Sequence, residues 1–153
     1  MSETAELAPS GVVVGDDGSA NARAAVEFAA EEATRRGLPL HVIRCYSMST
    51  APRPDGLPFG YVPSEAELGE SLRAFLEKQW AGLAAPSVEV HVVAAPAAQT
   101  LISAGDTATV LVVGACGQGR LEGLLLGSVA DKVVRLTSCP VIVVKRTRDL
   151  QGT

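Results

Sequence analysis

The chain has 153 residues, of which 47% are hydrophobic and only 4% aromatic, and its formal net charge is −4. That length suits one domain, and that apolar content excludes a disordered chain. The acidic balance argues against a nucleic-acid binder driven by phosphate neutralisation. No apolar run approaches the ~18–20 residues that span a bilayer. The acidic start, Met1 to Glu6, lacks the basic-then-apolar order of a signal peptide. Three widely spaced cysteines, Cys45, Cys116 and Cys139, show no zinc-type spacing. The expectation is one domain over residues 1–153, with tails at 1–10 and 147–153, in a reducing cytoplasm.

Gly11 to Gly15 is an apolar run between turn residues and reads as a buried strand. After Asp16-Asp17-Gly18-Ser19 the period changes. Ala22, Ala25, Val26, Ala29 and Ala33 fall at helical spacing, with Arg23, Glu27, Glu31 and Arg35 mostly opposite. Gly37 and Pro39 close this helix. The Glu31-Glu32 and Arg35-Arg36 pairs read as a solvated face with i,i+4 pairing.

Leu40 to Cys45 reads as a second strand. The segment from about Tyr46 to Pro63 is rich in proline and glycine and is a candidate lid or interaction loop. Ser64-Glu65-Ala66-Glu67 has the capping-box pattern, so a helix starts there. Leu68, Leu72, Phe75, Leu76 and Leu83 are its expected buried face. Val88 to Val93 alternates as a third strand. Pro96 opens a short helix with Leu101 and Ile102, and Gly105 ends it. Val110 to Val113 is the fourth strand. A helix from Ser128 to about Thr137 and a fifth strand, Val141 to Val144, complete the order.

Strands alternating with helices imply right-handed crossovers and a parallel three-layer α/β sandwich. Ligands in such sheets bind at the carboxyl ends of strands, near the switch in strand order. Both glycine-bearing turns, after strands one and four, lie at carboxyl ends.

The stretch from Gly114 to Ser128 carries glycines at 114, 117, 119, 123 and 127. Glycines allow positive φ and let backbone N–H groups approach an anion. Gly127-Ser128 stands where the next helix begins, and a helix N-terminus favours negative charge. Ser128 suits both capping and a hydroxyl contact to phosphate. The P-loop pattern is absent, because no lysine precedes Ser128, and no GxGxxG follows strand one. From the residues alone, an anion or nucleotide site and a merely turn-shaping role both stand.

Gly114, Gly117, Gly127 and Ser128 meet the spacing G-x2-G-x9-G-[ST] in full. Val12 to Ser19 resembles the first strand and turn of the universal stress proteins, and Ser138 to Lys145 their last strand. Over Gly11 to Lys145 the chain resembles the ATP-binding branch of that family. The resemblance implies a Rossmann-like, five-stranded parallel sheet of order 3-2-1-4-5, with ATP across the ends of strands one and four. Carried over by position, Asp17 lies near adenine or ribose, and Cys45 lies where backbone atoms read adenine. Gly114 and Gly117 approach ribose and phosphates, and Gly127 and Ser128 hold phosphates. Gly119, Arg120 and Val129 complete the implied nucleotide-binding set.

The resemblance further implies ATP with Mg²⁺ held mainly by the phosphates, and a homodimer through Pro140 to Lys145. Its functional implication is a regulatory, stress-response role through nucleotide binding. The rivals are slow ATP hydrolysis and a nucleotide-free dimeric interaction module. No convincing catalytic base is present, Asp16 and Asp17 being the only candidates. Asp16 stands where many members carry an apolar residue. Beside Asp17 it would repel a triphosphate unless it points away or a divalent ion intervenes. Cys45 and Cys139 read as buried small side chains. His41 and His91, in separate strands, read as structural, and no metal site is expected from them.

Overall fold

A computed structural model describes residues 7–116 and 126–145. Among these residues five strands alternate with four helices: β1 (Val12–Gly15), α1 (Ala20–Arg36), β2 (Leu40–Cys45), α2 (Glu65–Gln79), β3 (Val88–Val93), α3 (Ala97–Ala104), β4 (Val110–Gly114), α4 (Ser128–Leu136) and β5 (Val141–Val144). The sheet order is β3-β2-β1-β4-β5. Every pairing is parallel, with Val12 opposite Leu40 on one side and Val110 on the other.

The strands are short apolar runs because both faces of the sheet are covered. Val12, Val13 and Val14 are fully buried although they alternate between faces. On one face Val12, Val14, Leu40 and Val42 pack with the alanines of α1 and with Leu72, Leu76 and Trp80. On the other, Val13, Ile43, Leu111 and Val113 pack with Leu101 of α3 and Val133 of α4. Burying each such side chain contributes about 1.5–3 kcal/mol. The alanine stripe brings α1 close: a Cβ on Gly114 would lie 3.0 Å from the Asn21 carbonyl carbon.

Side-chain caps start the first two helices, and glycines follow the ends of α1 and α3. The Ser19 hydroxyl accepts the Ala22 N–H at 3.1 Å, and α1 ends at Gly37 in the left-handed region (φ 65°). Ser64 caps α2 by accepting the Glu67 N–H at 3.1 Å. The Glu67 carboxylate accepts the Tyr61 hydroxyl at 3.0 Å, so it anchors the incoming loop. Gly105 does end α3, with a right-handed backbone (φ −63°).

Three expectations need correction. Phe75 and Leu83 do not belong to the buried face of α2: Phe75 is 61% exposed and Leu83 lies beyond the helix end at Gln79, whereas Leu68, Leu72 and Leu76 are buried. Position 75 lies off the stripe that meets the sheet, and a large apolar residue there carries no packing information. Ser128 does not cap α4: Gly127 is the N-cap and Ser128 is the first helical residue. Cys45 and Cys139 are half-buried rather than buried.

Candidate functional site

Strand order reverses between β1 and β4, so their carboxyl ends part and leave a crevice. A cleft of about 570 Å³ opens there, a volume that suits a small organic ligand. Gly15 and Asp17 line it from the end of β1, and Gly114 and Cys116 from the end of β4. Cys45 and Tyr46 contribute from β2, and Gly127, Ser128 and Val129 from the start of α4. The sequence-derived set Asp17, Cys45, Gly114, Gly127, Ser128 and Val129 therefore converges on one cavity. Gly117, Gly119 and Arg120 lie outside the described residues.

The two ends of the cleft differ electrically. At α4 the N-cap is a glycine, with no side-chain cap hydrogen bond. Gly127 donates its own N–H to the Ala115 carbonyl at 2.7 Å, which pins the helix start against the end of β4. The positive pole of α4 therefore faces a cavity, not a capping hydroxyl. At α1 the first turn is closed by Ser19, and the Asp17 Oδ1 accepts the Ser19 N–H at 2.9 Å. This is an Asx-type turn, and it serves the backbone whatever else Asp17 contacts.

Asp16 also lines the cleft, but its carboxylate is held by neighbouring groups. Its residue is 5% exposed. Oδ1 accepts the Gly18 N–H at 2.9 Å, and Oδ2 accepts the Trp80 indole N–H at 3.3 Å. The Arg44 guanidinium stands 3.8 Å from Oδ2. The anticipated repulsion is met by turning the carboxylate toward these donors and pairing it with a cation.

Arg44 is the cleft residue that the sequence left unnoticed. It occupies a strand position, and only the fold shows that its side chain reaches over Gly18 into the cleft lining. Alternation along β2 offered the one signal: a charged residue near the carboxyl end of an otherwise buried strand.

Cys45 lies opposite Val93 in the sheet register. Burial pushes its thiol above the ordinary range, opposed in part by a hydrogen bond from the Thr100 side chain. The neutral thiol is a small apolar lining group and not a nucleophile. From the long loop, Tyr46 and Thr50 border the cleft. Phe59, at the far end of that loop, is fully exposed.

A doubly wound parallel sheet with a glycine-edged cavity at its crossover defines a Rossmann-like α/β fold. A sequence model of the Universal stress protein family matches residues 11–145, and the chain belongs to that family. The universal stress protein Rv2623 of Mycobacterium tuberculosis (strain H37Rv) is 32% identical over 139 residues, covering 88% of this chain and 47% of that protein. Rv2005c of the same strain is 36% identical over 140 residues, covering 89% and 45%. The chain thus spans about half the length of the curated relatives it matches.

Among solved structures, a universal stress protein in complex with cAMP is 25% identical with TM-score 0.65, covering 92% of this chain and 99% of that one. A universal stress protein from Archaeoglobus fulgidus in complex with dAMP is 26% identical with TM-score 0.58, covering 90% and 99%. Among the described residues, no helix is long and apolar enough to cross a membrane.

Proposed function

We propose that this chain binds an adenine nucleotide, ATP with Mg²⁺, in the cleft between the ends of β1 and β4, and that occupancy is its regulatory output. The observation that carries the reading is the cavity of about 570 Å³ into which the glycine-capped start of α4 points. Backbone N–H groups at such a start suit phosphate oxygens. The cAMP and dAMP complexes of family members support an adenine nucleotide as the ligand class.

In this reading Gly127, Ser128 and Val129 hold the phosphates, joined by Gly117, Gly119 and Arg120. Gly114 passes close to the ribose. Asp17 and the backbone at Cys45 face the ribose and adenine. Arg44 adds a cationic side chain at the rim. The phosphates hold Mg²⁺, which supplies charge neutralisation. The chain works in the cytoplasm as a homodimer through Pro140 to Lys145.

Binding is proposed rather than turnover. Hydrolysis needs a positioned water and a base. The nearest carboxylates, Asp16 and Asp17, hold the N–H groups of Gly18 and Ser19. The test is calorimetric titration of nucleotide-free protein with ATP and Mg²⁺, alongside the Gly127→Val variant. Saturable binding that falls at least tenfold in the variant is expected. Unchanged affinity in a folded variant would remove α4 from the site.

A further inference from the structure

Away from the cleft, parallel pairing of β2 with β3 sets His41 opposite Glu89 and Ile43 opposite His91. Side chains alternate along a strand, so Glu89 and His91 share the face that His41 also occupies. The three meet there. His41 Nδ1 lies 2.9 Å from His91 Nε2 and 3.5 Å from Glu89 Oε2. One ligand atom from each residue falls within 4.8 Å of the others.

The surroundings allow entry. β3 is an edge strand. His41 is nearly buried, His91 is half-buried, and the Glu89 side chain is 66% exposed. The cluster is therefore anchored on its inner side and open on its outer side. His41 is two residues before Ile43, where the cleft lining on β2 begins, which puts it about 7 Å along the strand from the cleft.

We propose that His41, His91 and Glu89 form a site for a zinc-type divalent transition-metal cation beside the edge strand β3, with solvent in the fourth coordination position. Two imidazoles and one carboxylate match the ligand set of open zinc centres. Zinc to nitrogen and oxygen distances of about 2.0–2.2 Å separate neighbouring tetrahedral donors by roughly 3.3 Å. The two separations from His41, 2.9 and 3.5 Å, bracket that spacing, and rotation of the exposed Glu89 side chain adjusts the third. Without metal, one imidazole donates to the other; on binding, that proton moves to the donor ring's second nitrogen and both facing nitrogens coordinate the cation. A pair of hydrogen-bonded histidines alone would not need a carboxylate at the third corner. The nitrogen-rich donor set disfavours Mg²⁺ and Ca²⁺, which separates this site from any cation carried by nucleotide phosphates.

The test uses the full chain, stripped with chelator and free of nucleotide, titrated with Zn²⁺ calorimetrically and with Co²⁺ by visible absorption. One equivalent is expected to bind, with the absorption of four-coordinate Co²⁺ and no thiolate-to-metal band. His91→Ala, at a half-buried position, is expected to weaken Zn²⁺ by tenfold or more. Glu89→Gln, exposed and nearly isosteric, is expected to weaken it by about tenfold. Circular dichroism of both variants checks their folding, and the Glu89 variant carries the test if the histidine variant unfolds. Absence of stoichiometric binding would overturn the proposal. So would equal affinity in a folded variant, or a thiolate signature placing the metal on cysteine.

Discussion

Asp16 is a charge whose three partners come from three separate parts of the chain: Gly18, Arg44 and Trp80. Asp16→Ala strips two donors of their acceptor and leaves Arg44 without its counter-charge. A loss of about 2–4 kcal/mol is expected, read as a lower urea midpoint. Gly114 and Gly127 separate in a similar way. A side chain at Gly114 presses on Asn21 of α1, with atoms at 3.0–3.1 Å, so Gly114→Val is expected to lower the melting temperature whether or not nucleotide is present. Gly127 has φ −71° and ψ 170°, which any residue adopts. Loss of binding at Gly127, with stability kept, therefore reports on the ligand. Cys45 gives a pH test. Burial raises its folded pKa, so the folded state holds the thiol proton more tightly. Its stabilising contribution is full below the unfolded value of about 8.5 and is lost as pH rises through the higher folded value. Iodoacetamide at pH 8.5 is expected to label Cys45 more slowly in native protein than in denaturant, as peptide mapping would show. Equal rates would contradict a thiol shielded by the fold.

At the scale of elements, the helix starts divide into closed and open ones. Ser19 and Ser64 close α1 and α2 with hydroxyl caps, whereas Gly127 leaves α4 without a side-chain cap. Ser64→Ala is expected to cost about 1 kcal/mol in chemical denaturation without touching ligand affinity. A weakened affinity would mean that α2 communicates with the cleft. The Ser64 cap was legible in the sequence because it is local, an oxygen-bearing side chain and an N–H three residues on, whereas the same kind of signal misled at Ser128. The strands were legible because runs such as Val12 to Val14 satisfy a sheet covered on both faces. The roles of Asp16 and the histidines were not legible. Trp80 lies 64 residues from Asp16, and His91 lies 50 from His41. Such pairs are set by strand register and layer packing, which no local spacing encodes. Phe75 misled because helical periodicity marks a stripe but not its exact width.

For the whole molecule, sheet order does the positioning. With β1 central and β4 beside it, the turn after β1 and the start of α4 are brought to one crevice although more than a hundred residues separate them. The long loop after β2 meets the same crevice through Tyr46 and Thr50, while its tip stays exposed. This places both the cleft and a solvent-facing segment at one end of the sheet. The histidine cluster lies on the opposite half of β2 and stands or falls separately. The most direct test of the central claim begins with gently purified protein. Denaturing it and identifying released small molecules by mass spectrometry, followed by calorimetric titration with ATP and Mg²⁺, measures occupancy and affinity together. An adenine nucleotide released or bound saturably at one site per chain is the predicted result. Well-folded protein that releases no nucleotide and gives no heat of binding would contradict it, leaving the cleft glycines with a packing role alone.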